Sequence, residues 1–193
     1  MSIPPASVGR TMAVDIPATI TPHLKSGSVR ALALPLRPYS NLKQGDAMWA
    51  REGINVDRKQ RVKNQLRLSY VGEDLFLSIP WIPSVAKPSP GFRPPSAMPV
   101  QCSRFTLIVK SVEVMRLSQI SEEDALISGV FIDPDGGYTP AGFPFMVGCE
   151  TANGALRVLY ETQNALGVGE NPEVAFVRFS AIMRNISFFS GGA

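Results

Sequence analysis

Apolar positions along this chain change period several times, and each change predicts an element. Residues 20–26 fit one or two helical turns, and Gly27 follows where a left-handed cap closes a helix. From Ser28 the pattern alternates, with Arg30, Leu32, Leu34 and Leu36 on one face and Val29, Ala31 and Ala33 on the other. This predicts a strand over 29–36, brought to an end by Pro35 and Pro38. Residues 43–46 form a turn signal, since Gly45 tolerates positive φ and Asp46 can bond its own backbone. A strand is expected over 47–51. Further on, Leu66, Leu68 and Tyr70 alternate with Arg67 and Ser69, so 65–71 reads as a strand. It is joined through Gly72-Glu-Asp74 to an apolar strand over 75–79, as a hairpin.

Residues 80–99 hold seven prolines, which cannot donate to a strand ladder, and the segment reads as an extended strap across the surface. Beyond it, 104–117 is a long strand, of which 104–115 belongs to the core sheet. Ser121-Glu-Glu-Asp124 has the form of a helix capping box, and its acids suit the positive end of a helix that stops near Gly129. Ala152, Ala155, Leu156, Leu159 and Tyr160 recur at helical spacing, predicting a helix over 150–166 that Gly167 ends. Residues 174–182 are apolar almost throughout, as in a strand buried on both faces. Strands and a few helices in mixed order imply the α+β class. The organisation expected is an N-terminal arm over 1–19, one domain over 20–186 with the strap at 80–99, and a tail over 187–193.

Composition narrows the chemistry. The chain has 193 residues, 45% hydrophobic and 18% charged, enough apolar surface for a packed core. No stretch of 18 apolar residues is present and the first residues lack the order of a signal peptide, so no membrane partner is expected. Two cysteines, Cys102 and Cys149, suit a reducing cytoplasm better than a disulfide framework. With His23 they fall short of the four close nitrogen or sulfur ligands of a zinc site, and no cofactor is expected. Gly167-Val-Gly169 starts like a dinucleotide loop, but Pro172 stands where the third glycine belongs. His23 reads as an ordinary surface histidine. Glu122, Glu123 and Asp124 read as a helix-cap cluster before a metal site.

The net charge is +3, and the excess is local. Arg51, Arg58, Lys59, Arg61, Lys63 and Arg67 stand against only Glu52 and Asp57 in one segment. Such a segment suits phosphate contacts, which are salt-sensitive and largely independent of sequence, or it is a solvated hairpin loop. Arg30 and Arg37, on the strand before it, would extend the patch. Trp49 reads first as a core residue, with base stacking as the other possibility.

Three ordered stretches resemble the ASCH family of small PUA-like domains. They are 42–52 (Leu-Lys-Gln-Gly-Asp-Ala-Met-Trp-Ala-Arg-Glu), 103–125, a long strand leading into the capped helix, and 159–167 with 171–179. From the first to the last of them, 42 to 179, the match spans roughly two-thirds of the chain. They are similar to the longer variety common in bacteriophage and prophage genomes, which has a counterpart of the strap as well. The resemblance implies a PUA-like β-barrel with flanking helices, its strands being 29–36, 47–51, 65–71, 104–115 and 174–182. It also brings a test of function. The family signature is G-x-K-x-x-x-x-R, and here the Lys position holds Val29 and the Arg position Leu34. Some small members are amidohydrolases acting on acetylated cytidine, with Lys, Thr and Glu as their catalytic set. Those positions map to Val29, Leu32 and Ser128, which offer no activated nucleophile or base. A binding module for RNA or a modified nucleotide is therefore expected, rather than an enzyme. A structural or assembly protein of a phage particle, contacting other proteins through the arm and strap, is the alternative. The first would work in the host cytoplasm, the second in the virion.

Overall fold

The computed structural model describes residues 9–59, 62–143, 148–167 and 169–188. In chain order the elements are β1 (Thr11–Asp15), α1 (Thr21–Ser26), β2 (Ala31–Pro35), the kinked turn α2 (Leu36–Tyr39), β3 (Ala47–Arg51), β4 (Ile54–Val56), β5 (Gln65–Tyr70), β6 (Leu77–Pro80), β7 (Gly91–Arg93), β8 (Thr106–Arg116), α3 (Glu122–Leu126), β9 (Val130–Ile132), β10 (Tyr138–Pro140), α4 (Ala152–Asn164) and β11 (Glu173–Ile182). Strands predominate, and the class is α+β. The chain divides into two units: Met1–Thr21, Ala47–Leu107 and Ile182–Ala193 form unit 1, and Pro22–Asp46 and Ile108–Ala181 form unit 2.

Unit 1 contains a parallel pair, β1 with β3, in which Thr11 faces Ala47 and Asp15 faces Arg51. It also contains an antiparallel four-stranded sheet in the order β6-β5-β4-β7. Ile54 and Val56 of β4 and Leu66, Leu68 and Tyr70 of β5 alternate onto one face of that sheet. There they bury with Trp81, Met98 and Cys102. In unit 2, β11 lies between β8 and β2 and runs antiparallel to β2, Val174 facing Pro35 and Arg178 facing Ala31. Val174 to Val177 and Phe179 are buried, as a strand covered on both faces requires. Helix α4 buries the five residues expected from its period. Its N-cap Thr151 accepts the Gly154 N–H at 3.0 Å, and Ser121 caps α3 through the Asp124 N–H at 3.1 Å.

Several expectations need correction. Among the described residues no sheet closes into a barrel, because the expected strands fall into different sheets: β5 pairs with β4 and β6, while β11 pairs with β2. The segment read as an arm contributes β1, with Val14 and Ile16 buried. It lacks alternation because its backbone pairing with β3, rather than its side chains, defines it. Residues 1–8 and 189–193 of the expected arm and tail lie outside the described residues. Strand β2 is shorter than 29–36 and includes Pro35, which an edge position tolerates because its missing N–H breaks no ladder bond. Edge position also explains β7, which lies inside the strap between Pro90 and Pro94. Helix α4 ends at Ala165, in the left-handed region at φ 51°, two residues before the glycine expected to stop it.

Candidate nucleic-acid interface

The basic segment becomes a hairpin of unit 1. Ile54 faces Tyr70, Asn55 faces Ser69 and Val56 faces Leu68, so β4 and β5 bring the ends of residues 57–64 together as their connection. Apolar residues facing one way on both strands set this register, since a slip of one residue would turn Leu66 and Leu68 to solvent. At the base of the connection Asp57 accepts from Arg67 Nε at 2.9 Å, and its other oxygen accepts the Lys59 N–H at 2.9 Å. The single acidic residue of the hairpin is thereby committed to holding the turn. Arg58, Lys59 and Lys63 are exposed, and none forms an ion pair with a described residue. Arg61 lies outside the described residues.

The other candidates separate from this group. Arg51 is engaged within unit 1: its Nε lies 2.6 Å from Asp15 Oδ1, joining the facing residues of β3 and β1, and its guanidinium sits 6.0 Å from the centre of the Trp49 ring. Trp49 packs against the apolar cluster of unit 1, in keeping with a core role. Arg30 and Arg37 are exposed but belong to unit 2. The Arg30 N–H donates to Ile127 O, and Arg37 stands at the kink of α2 with an extended backbone. The candidate cations that unit 1 leaves exposed on the β4–β5 hairpin are therefore Arg58, Lys59 and Lys63, with Arg67 at the base of their connection.

One charged group escaped the sequence reading. Glu52 is buried, its side chain 3% exposed, and Arg104 meets it with two bonds, Nε to Oε2 at 2.9 Å and Nη2 to Oε1 at 2.8 Å. Arg104 Nη1 reaches both oxygens of Glu73, and Thr21 Oγ1 donates to Glu52 Oε1 at 3.0 Å. The guanidinium lies 3.7 Å from the centre of the Tyr70 ring. Burial pulls Arg104 down, but its bonds and charge pairing with Glu52 and Glu73 outweigh that and hold it above its ordinary value. Burial likewise pushes the Tyr70 phenol well up, against the pull of Arg104, and its hydroxyl donates to Cys102 O at 2.6 Å. Every member is occupied, so the cluster ties strands together and offers no free acid or base. A spacing of 52 residues between Glu52 and Arg104 carries no local pattern, so only folding pairs them.

The positions inherited from the family resemblance sit together in unit 2. The N–H groups of Arg30 and Ala31 both donate to Ile127 O, placing the start of β2 beside the end of α3. Val29 and Leu32 are buried apolar residues there, and Ser128 Oγ donates to Asp124 O at 2.7 Å. No nucleophile–base pair arises from these three. His23 Nδ1 is 3.4 Å from Ser28 Oγ, longer than such a pair requires, and its ring packs 4.1 Å from that of Phe131. The acids of α3 have separate duties: Glu122 accepts the Ala152 and Asn153 N–H groups at the start of α4, and Asp124 pairs with Arg178. Among the described residues no three His, Cys, Asp or Glu side chains converge as a metal site, and no helix is long and apolar enough to cross a membrane. No protein-family model, curated protein or solved structure matches this chain.

Proposed function

We propose that this chain is a non-catalytic binding module of the ASCH, PUA-like kind, taking RNA or a modified nucleotide in the host cytoplasm. The observation that supports it most is the β4–β5 connection, where three exposed cations lack ionic partners among the described residues. Like charges on one loop repel, and an anionic ligand relieves that repulsion. Occupied, buried or apolar residues at the family's catalytic positions argue in the same direction. Neutralising Z phosphates of a single strand gives a log–log salt slope of about −0.7Z, so three contacts predict about −2. Replacing Arg58, Lys59 and Lys63 together with Ser removes that slope and leaves the melting temperature unchanged. A parent chain that binds no RNA at low salt, or a triple variant that binds with the parent's slope, overturns the reading.

A second reading, a structural or assembly protein of a phage particle, draws on a different feature. Leu75, 76% exposed, and Ile82 and Val85 present apolar surface at and just before the strap. Binding through such residues survives high salt, which separates it from phosphate binding.

A further inference from the structure

The face of the four-stranded sheet opposite the apolar cluster of unit 1 carries two exposed aromatic rings. Asn55 faces Ser69 on one side and Phe92 on the other, and pairing residues in a ladder share a face. Phe76 lies on the same face, with the Arg67 guanidinium 5.6 Å from its ring centre. Phe92, 60% exposed, is on the edge strand β7, and Phe76, 43% exposed, immediately precedes β6 at the opposite edge of the sheet. On the ladder between them lie Asn55, half-buried, and Ser69, which its neighbours bury, with Arg67 beside them on the same face. Gly53 keeps the face low beside Phe92: a Cβ there would sit 3.4 Å from the Phe92 ring and 2.8 Å from Val71. The cationic β4–β5 connection stands at one end of this same sheet.

We infer that this face is a stacking platform for a single-stranded nucleic acid, with Phe76 and Phe92 each taking a base and the β4–β5 cations holding the phosphates. The inference rests on the nucleic-acid reading above and gives it a strandedness and a binding face. Exposed rings alone would suit a protein partner equally. What favours a nucleic acid is the company they keep: a guanidinium over one ring, polar residues between them, and on the adjoining loop a group of cations with no ion pair among the described residues. Three strand-to-strand steps separate the rings by about 14 Å. A stacked strand advances about 3.4 Å per nucleotide, so the rings address bases about four nucleotides apart, fewer when the strand is extended. A duplex hides its base faces and gains nothing from the rings.

The test uses the full chain and an oligouridylate of about 12 nucleotides, alone and annealed to oligoadenylate, followed by fluorescence anisotropy. The single strand binds more tightly than the duplex. Phe76→Ala and Phe92→Ala each weaken binding about tenfold with the salt slope retained, whereas the Arg58, Lys59 and Lys63 triple variant lowers the slope. Phe92→Leu keeps the bulk of the side chain and loses affinity as Phe92→Ala does, which separates stacking from any loss of fold. Phe92→Trp keeps affinity, and its added emission is quenched by bound uridine. If both alanine variants bind like the parent, or the duplex is preferred, the platform falls while the phosphate reading stands. If the parent binds neither oligonucleotide, both fall. Self-association of the parent that the alanine variants abolish, without RNA binding, assigns the face to a protein contact instead and overturns the inference.

Discussion

Arg104 shows how much a residue's surroundings decide what its charge does. Glu52 is nearly inaccessible and Arg104 is 15% exposed, so removing the guanidinium strands a buried carboxylate. Breaking such a pair from one side costs about 3–5 kcal/mol, far more than the pair itself contributes. Arg104→Leu is accordingly expected to lower unfolding stability by that amount in a urea titration. By contrast, Glu113, 49% exposed, pairs with Arg178 in reach of water, and Glu113→Ala is expected to cost under about 1 kcal/mol. Equal losses for the two variants would show that the burial of Glu52 carries no energetic consequence. Cys102 gives a pH test. Burial pushes its thiol from an ordinary value of 9.0 up to about 12. Between those values the unfolded chain gives up the proton and the folded chain keeps it. Stability is therefore full below about pH 9 and declines as pH rises towards 12. Tyr70 acts with the same sign, its onset beginning at its ordinary value of 10.0. Unfolding titrations across this range should show Cys102→Ala losing the part of the decline that begins near 9.0 and keeping the rest.

Among the elements, α3 was legible from its capping box, α4 from its apolar period and the long strands from their burial. Ser121 caps α3 with its own side-chain oxygen, as its capping-box spacing displays, whereas Thr151, expected inside a helix over 150–166, is the residue that caps α4. Loss of such a cap costs about 1 kcal/mol, the expected effect of Thr151→Ala on thermal unfolding. At the other end, Ala165 occupies left-handed backbone that penalises a Cβ by about 1–2 kcal/mol. Ala165→Gly should therefore raise the melting temperature, and a lowered one would mean the Ala165 methyl contributes packing that outweighs the strain. Long strands β8 and β11 were legible because many apolar or β-branched residues run together. Strands β4, β7 and β9 have three residues each, too few for any period to emerge. The β9–β10 hairpin did carry a signal, Asp133-Pro-Asp-Gly-Gly137, whose Gly136 takes φ 87° as a turn of this composition demands.

At the scale of the whole molecule, the three positions that the ASCH resemblance would make catalytic hold packed or hydrogen-bonded residues. Val29 and Leu32 are packed into unit 2, and Ser128 spends its hydroxyl on the carbonyl of Asp124. Amide hydrolysis needs an activated nucleophile or base, and vacating one such role typically removes several orders of magnitude in rate. Purified protein is expected to release no acetate from acetylated cytidine above the uncatalysed background. Turnover that persists in Lys25→Ala and Lys43→Ala variants would place a catalytic site elsewhere in the chain.

Local information determined the class, the capped helix α3, the apolar period of α4, the long strands and the concentration of positive charge between residues 51 and 67, because each depends on neighbours within a few positions. Composition likewise limits the nitrogen and sulfur side-chain ligands of the zinc type to Cys102, Cys149 and His23. Tertiary structure alone decided which charges remain available. It joined Arg104 to Glu52 and Glu73, Arg51 to Asp15 and Arg67 to Asp57, and it placed Arg30 and Arg37 in a different unit from the basic hairpin. It also turned Phe76 and Phe92 to one face of a sheet through strands separated by a proline-rich run. Pairing across such distances depends on register and on loops brought together by the burial of Leu66, Leu68 and their neighbours, and no residue's immediate sequence encodes it.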